Sequence, residues 1–291
     1  MSLLQSILMG LIQGLTEFLP VSSSGHLALF RILFRVEADT GLLFDVLLHI
    51  GTLIAVFVVY WRDIIRLLWE LVSIIVDCVY NGTVFFGRRR WTDRSYRRIV
   101  RNSYRKFVVM VIVSTIPTAI IGYVAQDFVE MASGILLIPG ICLLITAGLL
   151  LICDFARDGK KRPKQASCAN AFIIGICQGI ATLPGISRSG MTITACVLSG
   201  FDRRFAVEYS FILSIPAILG ALALELKEIG SVTVSATQAG NYVIGMIVAA
   251  AVGYICIRTM LLVVRNKKFK VFAVYCLAVG ILSIGGHFYL A

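Results

Sequence analysis

The chain has 291 residues, of which 58% are hydrophobic and only 15% are charged, and its mean hydropathy is +0.90. A water-soluble domain of this length cannot bury so much apolar surface in one core, so lipid must be the solvent for most of the chain. The apolar blocks are too long for membrane-spanning β-strands and lack their alternation. The composition therefore predicts an all-α polytopic membrane protein.

The positive charge is concentrated in short connections between the apolar segments. The net charge is +11, and stretches 88–106, 157–164 and 258–270 hold nine, five and five basic residues, which together make 19 of the 27. This distribution is typical of cytoplasmic loops under the positive-inside rule. The charge therefore predicts an orientation in the bilayer, and we expect no nucleic-acid partner.

Six apolar segments have about the length of a membrane-crossing helix, roughly 20 residues. They are residues 42–61, 107–124, 134–153, 207–226, 241–257 and 271–290. Two further apolar stretches, 3–34 and 168–199, are each interrupted by a polar centre that contains Gly and Pro. Once the basic loops orient the six crossings, both ends of each stretch fall on one side. Each stretch is therefore predicted to be a re-entrant helical hairpin, whose non-helical centre needs protein or water around it.

Three other features receive simple interpretations. Segment 67–86 has basic residues at both ends and contains Glu70 and Asp77, which favours a position along the inner membrane surface. The eight cysteines lie in or beside apolar segments without a CxxC pair, so they are predicted to be small buried hydrophobic residues. The N-terminal stretch lacks a cleavage pattern and is expected to be retained.

The chain shows the same pattern twice. Residues 13–25 (QGLTEFLPVSSSG) and 178–190 (QGIATLPGISRSG) align without gaps and share Gln, Gly, two Ser and Gly in register. We therefore predict one membrane domain made of two inverted repeats, about 1–155 and 166–291, each with one re-entrant hairpin and three transmembrane helices. Such repeats place their site near the bilayer midplane, where the halves meet.

The polar centre of the first hairpin is a candidate site. Gln13 and Glu17 are four residues apart and share one helix face. The next helix then opens with Ser22, Ser23, Ser24, Gly25 and His26. Backbone N–H groups and hydroxyls at a helix N-terminus bind anions. A carboxylate and an imidazole beside them can activate a nucleophile.

The second hairpin repeats this loop-to-helix form with a guanidinium in it. Gln178 takes the place of Gln13, and the helix opens with Ser187, Arg188, Ser189, Gly190 and Thr192. Arg presents a planar fork that suits phosphate oxygens. Together the two loops would combine a carboxylate and a nucleophile with a phosphate clamp, which suits phosphoryl transfer. Asp45 is a candidate supporting residue beside this site.

Other interpretations compete with catalysis. Buried Ser and Thr in membrane helices commonly serve packing, and Glu17 with Arg188 could form a purely structural ion pair. Broken helices in inverted repeats are also a transporter architecture, so a transporter or flippase of a polyprenyl phosphate lipid is the alternative function. A structural scaffold would leave both intramembrane charges unexplained. The Glu-Ser-His cluster favours an enzyme, because transport needs no nucleophile.

Residues 17–26 (EFLPVSSSGH) and 184–190 (PGISRSG) resemble the two signature motifs of bacterial undecaprenyl-diphosphate phosphatases, the bacitracin-resistance family. The similarity covers nearly the whole chain, including 44–51 (FDVLLHIG) and 214–216 (SIP). It implies hydrolysis of undecaprenyl diphosphate to undecaprenyl phosphate, which recycles the carrier lipid of cell-wall synthesis. It also implies a place in the bacterial plasma (inner) membrane, with the site open to the outer face.

Position in these motifs implies a role for each matching residue. Glu17 matches the family's essential glutamate, Ser23 the proposed nucleophile, and Arg188 the phosphate-binding arginine. His26 matches the motif histidine, and Thr192 matches a supporting hydroxyl. Ser23 would attack the terminal phosphorus; in the alternative mechanism it orients an attacking water.

The resemblance further implies a divalent cation, Mg²⁺ or Ca²⁺, at Glu17. The family often has a second glutamate where this chain has Gln13, and a neutral amide is a weaker ligand for a hard cation. Metal binding would therefore depend on Glu17 and on phosphate oxygens, with Gln13 as a secondary ligand. A homodimer is left open by the sequence.

Overall fold

The computed structural model describes residues 1–34, 41–86, 95–228, 235–265 and 268–290. These ranges form eleven α-helices and one short 3₁₀-helix, Pro163–Gln165. The α-helices are α1 Leu3–Phe18, α2 Ser23–Phe34, α3 Gly41–Phe86, α4 Ser103–Val124, α5 Gln126–Ser133, α6 Leu137–Phe155, α7 Cys168–Ile180, α8 Arg188–Leu198, α9 Arg203–Glu228, α10 Ala236–Arg265 and α11 Phe269–Leu290. The predicted all-α class is confirmed.

Six of the helices are long and apolar enough to cross a membrane. The segments are Leu43–Phe86, Ser103–Val124, Leu137–Phe155, Arg203–Leu224, Ala236–Val263 and Phe269–Tyr289. Their outer faces carry exposed large apolar side chains, such as Ile116 and Ile120 on α4 and Val271 and Val274 on α11. Such faces are stable in lipid rather than in water. The chain is therefore a multi-pass membrane protein with the six predicted spans.

Helix α3 consists of two helical segments that meet at a kink. The sequence predicts a first span that ends at residue 61 and a segment 67–86 along the inner membrane surface. In the 46 residues of α3, Tyr60 has non-helical angles (φ −107°, ψ 20°), so the structure bends next to the predicted end of the span, and the surface position of the second segment stays a prediction. Residues 61–67 contain no Gly or Pro to end a helix. The two predicted parts are thus joined through a kink.

Buried Asp77 fastens the C-terminal half of α3 to the chain before α4. Its carboxylate accepts hydrogen bonds from Arg105 Nη1 at 2.6 Å and from Arg97 Nη1 at 3.3 Å, and it also pairs with Arg101. Arg105 Nε donates in addition to Glu70 at 2.9 Å. The described part of this basic connection is therefore held against α3; its residues 87–94 lie outside the described ranges.

Both interrupted apolar stretches form pairs of short helices, α1 with α2 and α7 with α8. α1 has 16 residues and α7 has 13, fewer than the roughly 20 that a crossing needs. The connections contain left-handed backbone conformations, at Ser22 (φ 71°) and at Gly185 (φ 97°). The predicted breaks are confirmed, and the re-entrant course through the bilayer stays a prediction.

The first helix of each hairpin packs closely on a long helix of the other half, α1 on α10 and α7 on α4. A Cβ on Gly10 would lie 2.4 Å from the Gly245 carbonyl oxygen, and one on Gly175 would lie 2.2 Å from the Ser114 carbonyl oxygen. Small residues allow such close helix contacts in membranes. Gly10 and Gly175 occupy equivalent positions in the alignment of the two halves. Each half thus packs the first helix of its hairpin on a long helix of the other half, as expected for two related repeats. The repeat boundaries stay a prediction.

All eight cysteines are free thiols. Five of them are buried, whereas Cys78 and Cys168 are exposed and Cys177 is partly buried. The prediction of buried cysteines therefore holds for most positions and fails for Cys78 and Cys168. Both lie on outer faces of helices.

Candidate active site

The connections inside the two hairpins lie against each other. The Gly185 N–H donates to Ser22 Oγ at 3.1 Å, and a Cβ on Gly25 would lie only 2.8 Å from Gly185 Cα. Thr146 of α6 fastens the second loop, because its hydroxyl donates to the Gly185 carbonyl and accepts from the Ser187 N–H, both at 3.0 Å. The two polar centres predicted to form one site are therefore adjacent.

Glu17, near the end of α1, is the point on which side chains of both loops converge. Its side chain is only 2% exposed. Carboxylate Oε2 accepts from Ser23 Oγ at 2.6 Å and from Gln13 Nε2 at 3.1 Å. Oε1 accepts from the guanidinium of Arg188, 171 residues further along the chain. One carboxylate thus links a hydroxyl of the first hairpin to the guanidinium of the second.

Ser23 and Arg188 remain partly accessible beside this buried carboxylate. Ser23 is half-buried, its neighbour Ser24 is exposed, and the Arg188 side chain is 24% exposed. Ser23 is the first residue of α2, and Arg188 is the first residue of α8. An anion at this position would meet a hydroxyl, a guanidinium and the N-termini of two helices.

The other loop hydroxyls maintain the loop conformations. Ser22 Oγ accepts from the Gly25 N–H at 3.3 Å, and Ser187 Oγ accepts from the Gly190 N–H at 3.1 Å. Both serines are at most 2% exposed. Ser189 is buried too, with its hydroxyl 3.3 Å from Ser187 Oγ. These hydroxyls are already satisfied within the protein, so they position the loops.

Thr192 and Gln178 fasten the second hairpin to its neighbours. Thr192 Oγ1 donates to the Arg188 carbonyl at 2.8 Å and lies 2.6 Å from Ser210 Oγ on α9. Gln178 Nε2 lies 3.4 Å from Thr118 Oγ1 on α4. Both side chains are buried. They support the loop that carries Arg188, and sequence reasoning did not identify Ser210 as a partner.

The imidazole of His26 has two partners, and neither is Glu17. Nδ1 lies 2.7 Å from the Ser22 carbonyl oxygen, and Nε2 lies 2.9 Å from the Tyr275 hydroxyl on α11. A carbonyl only accepts, so Nδ1 donates, and in the neutral ring Nε2 must accept from Tyr275. The Ser22 carbonyl therefore fixes the tautomer, and Tyr275 holds the ring through Nε2. The sequence showed no sign of this tyrosine, which lies on a different span.

Tyr275→Phe should lower phosphate-release kcat roughly threefold to tenfold, the cost of one hydrogen bond of about 0.5–1.5 kcal/mol, if His26 assists proton transfer. The pH profile should also change, because Nε2 loses the hydroxyl donor that favours the neutral ring. Tyr289→Phe, an exposed tyrosine on the same helix, is the matched control and should be silent. Equal activity of the two variants would show that His26 needs no such support.

A second imidazole, that of His49 on α3, lies within electrostatic range of the Glu17 carboxylate. His49 was not among the predicted site residues. Asp45, four residues earlier, was the predicted supporting residue; its carboxylate instead pairs with Arg31 and joins α2 to α3. The shared helix face of Asp45 and His49 was the signal available in the sequence.

The oxygen atoms beside Glu17 offer a partial cation site. Gln13 Oε1 is buried and has no hydrogen-bond partner among the described residues, while Gln13 Nε2 donates to Glu17. No group of three or more His, Cys, Asp or Glu side chains converges within the described ranges. One carboxylate and one amide oxygen fit Mg²⁺ or Ca²⁺ when phosphate oxygens and water complete the shell.

These features define a class, an integral membrane protein with a candidate anion-binding site between two broken-helix loops. The sequence matches the family described as bacitracin resistance protein BacA over residues 6–282. The chain belongs to this family, as its motifs predicted.

Relatives that bear the name undecaprenyl-diphosphatase align over nearly the full length. Those of Methanosphaera stadtmanae and Alkaliphilus metalliredigens are 38% and 39% identical over 284 residues, 98% of this chain and 98% of each relative. Undecaprenyl-diphosphatase 4 of Bacillus thuringiensis subsp. konkukian is 36% identical over 284 residues, 98% of this chain and 97% of the relative. The similarity therefore includes both hairpins and all six spans.

Proposed function

We propose that this protein hydrolyses undecaprenyl diphosphate to undecaprenyl phosphate and inorganic phosphate, and thereby recycles the carrier lipid of cell-wall synthesis. Its relatives are named for this activity. The observation that carries the proposal is the convergence of Ser23 and Arg188 on the Glu17 carboxylate. The proposal gives Ser23 the role of nucleophile, Glu17 that of proton acceptor and Arg188 that of phosphate-binding group, and it is supported by the direct contact of both partners with the carboxylate.

Substrate binding begins at the ion pair between Glu17 and Arg188. The terminal phosphate enters between the loops and takes over the guanidinium, whose planar fork can contact two phosphate oxygens. The N-termini of α2 and α8 add positive potential on the same side. The polyprenyl tail stays in the bilayer. Release of Arg188 leaves Glu17 bonded to Ser23, which is the arrangement needed for the next step.

Hydrolysis then proceeds by two in-line displacements. Glu17 takes the proton of Ser23 as Oγ attacks the terminal phosphorus, and the bridging P–O bond breaks to release undecaprenyl phosphate, which takes that proton from Glu17 as it leaves. Glu17, again a carboxylate, then accepts a proton from the water that attacks the phosphoserine. It returns this proton to Ser23 Oγ as the P–Oγ bond breaks and inorganic phosphate leaves. Arg188 stabilises the charge of both transition states.

Glu17 and Gln13 Oε1 are the residues that would hold Mg²⁺ or Ca²⁺ together with the phosphate oxygens. Bound there, the cation would neutralise charge on the diphosphate. The orphaned Gln13 oxygen supports this part of the proposal. The carbonyl oxygen of the Gln13 amide would thus act as a ligand at a position where the family often has a glutamate.

The competing function, transport of a polyprenyl phosphate, uses the same architecture. The hydrogen bond of 2.6 Å between Ser23 and Glu17 favours hydrolysis, because a transporter needs no hydroxyl beside a base. Detergent separates the two functions, since it leaves no bilayer to cross. In detergent, the purified protein should release phosphate from the lipid with repeated turnover, whereas a transporter would leave its lipid chemically unchanged.

We also propose that the protein lies in the plasma membrane with its basic loops in the cytoplasm and its site open to the outer face. The positive-inside rule supports this orientation. In a cysteine-free background, Glu130→Cys on α5 should react with an impermeant maleimide in intact cells. Lys160→Cys in the basic connection should react only after permeabilisation. Both native side chains are exposed, so the reverse labelling pattern would contradict the orientation.

A further inference from the structure

A cavity of about 310 Å³ lies where α4 and α9 begin, next to the 3₁₀-helix. It shares no residue with the candidate active site. Its walls include the rings of Tyr104, Phe107 and Phe205 and the charged side chains of Arg162, Arg204 and Glu208. These first helical turns follow basic connections predicted to face the cytoplasm. The cavity is therefore placed at the level of the inner lipid headgroups, and its volume lies in the range of small-molecule sites.

The charged side chains in this cavity form no close ion pair with the described part of the protein. Arg162 and Arg204 are exposed, and neither they nor Glu208 pair directly with an opposite charge in the described ranges. Arg204 lies one helical turn before Glu208, within electrostatic range of it. Asp202 also lines the cavity, but its carboxylate already accepts from the N–H groups of Arg204 and Phe205, at 3.1 and 3.2 Å. Two guanidiniums and one carboxylate are therefore available to a ligand.

Glu208 is the acidic group of the lining whose carboxylate remains free for a ligand. Behind the cavity wall it lies within electrostatic range of Tyr60 and Asp63, neither of which lines the cavity. Tyr60, at the kink in α3, is 7% exposed, and its hydroxyl has no hydrogen-bond partner among the described residues. Within the lining itself, Glu208 suits a cation and the two arginines suit an anion.

We infer that this cavity binds the phosphoethanolamine headgroup of a membrane phospholipid. Arg162 and Arg204 would hold the phosphate, the ammonium would donate to Glu208, and the rings of Phe107 and Phe205 would contact the adjoining carbon chain. With this occupant, each charged side chain of the lining that forms no ion pair would contact a ligand group of opposite charge. Phosphatidylglycerol would leave Glu208 unsatisfied, and phosphatidylcholine has no N–H to donate. The inference does not depend on the proposed hydrolysis.

Binding of short-chain lipids to the purified protein in detergent tests the inference, with native mass spectrometry as the readout. The dihexanoyl phosphatidylethanolamine should bind about tenfold more tightly than the matched phosphatidylcholine and phosphatidylglycerol. Glu208→Gln should remove that preference, and Arg162→Gln with Arg204→Gln should weaken all three lipids. Arg157→Gln, an exposed arginine outside the cavity, is the control and should change nothing. Soluble phosphoethanolamine should compete, which separates headgroup recognition from binding of the acyl chains.

Equal binding of the three lipids to the unmodified protein would overturn the inference, as would variants that bind like it. If a variant fails to purify, the headgroup competition on the unmodified protein decides alone. Phosphate release should be unchanged in all of these variants, since none alters the active site. Lipid preference without phosphate release would therefore refute the proposed function and leave this site intact.

Discussion

Ser23→Ala should lower the rate of phosphate release by about 10⁴-fold or more, because removal of an enzyme's nucleophile lowers its rate by this order. The protein should still insert and purify normally. The substitution removes one hydroxyl and no charge. That hydroxyl is half-buried and bonded at 2.6 Å to Glu17, so loss of packing is a minor effect. The measurement is phosphate release with purified protein at saturating lipid.

Ser24→Ala is the matched control for this prediction. Ser24 is the next residue of the same loop, is exposed, and lies 3.4 Å from the Ser22 hydroxyl. It should retain activity within about threefold, the cost of a weak surface hydrogen bond. A Ser23→Ala protein within tenfold of the original rate would refute nucleophilic attack by Ser23. Direct attack by water, with Ser23 as an orienting group, would then be the better mechanism.

Glu17→Gln and Arg188→Ala should each reduce phosphate release by at least about 10³-fold, because they remove the proton acceptor and the phosphate clamp. The double variant should stay inactive, since neither residue replaces the other's role. Arg188→Lys keeps the charge but loses the planar fork, and it should also lose most activity. Rates and thermal unfolding measured on these four proteins test the prediction.

A purely structural ion pair predicts the opposite pattern. Removing one partner of a buried pair leaves an uncompensated charge and destabilises the fold by about 3–5 kcal/mol. Glu17 is 2% exposed and Arg188 is 24% exposed, so Arg188→Ala, which leaves the more deeply buried charge unpaired, would then have the larger effect. The double variant should recover both stability and function. Such recovery would contradict a catalytic role for the pair.

The sequence was sufficient to predict the features that depend on local composition. Long apolar segments located the spans, and Pro20 with the serine run located the break between α1 and α2. The in-register repeat placed Glu17 and Arg188 in neighbouring loops, and the structure brings their side chains into contact. These features follow from the cost of polar backbone and charge in lipid.

Contacts between distant elements were not predictable in the same way. The hydroxyl of Tyr275 reaches His26 across 249 residues, and its helix carries no motif. His49 approaches Glu17 because α3 packs beside α1, a geometry that spacing along one helix does not contain. The direct junction of the two segments of α3 at the Tyr60 kink, with no turn in residues 61–67, also escaped prediction, because charged residues there are compatible with both a surface turn and a helix.

The central claim is that this protein cleaves the terminal phosphate from a polyprenyl diphosphate, and analysis of both products tests it most directly. The purified protein, incubated in detergent with undecaprenyl diphosphate and Mg²⁺, should convert the lipid to undecaprenyl phosphate and release one inorganic phosphate per lipid. Mass spectrometry of the lipid and a phosphate assay provide the two readouts. An unchanged lipid, or undecaprenol together with pyrophosphate, would contradict the account.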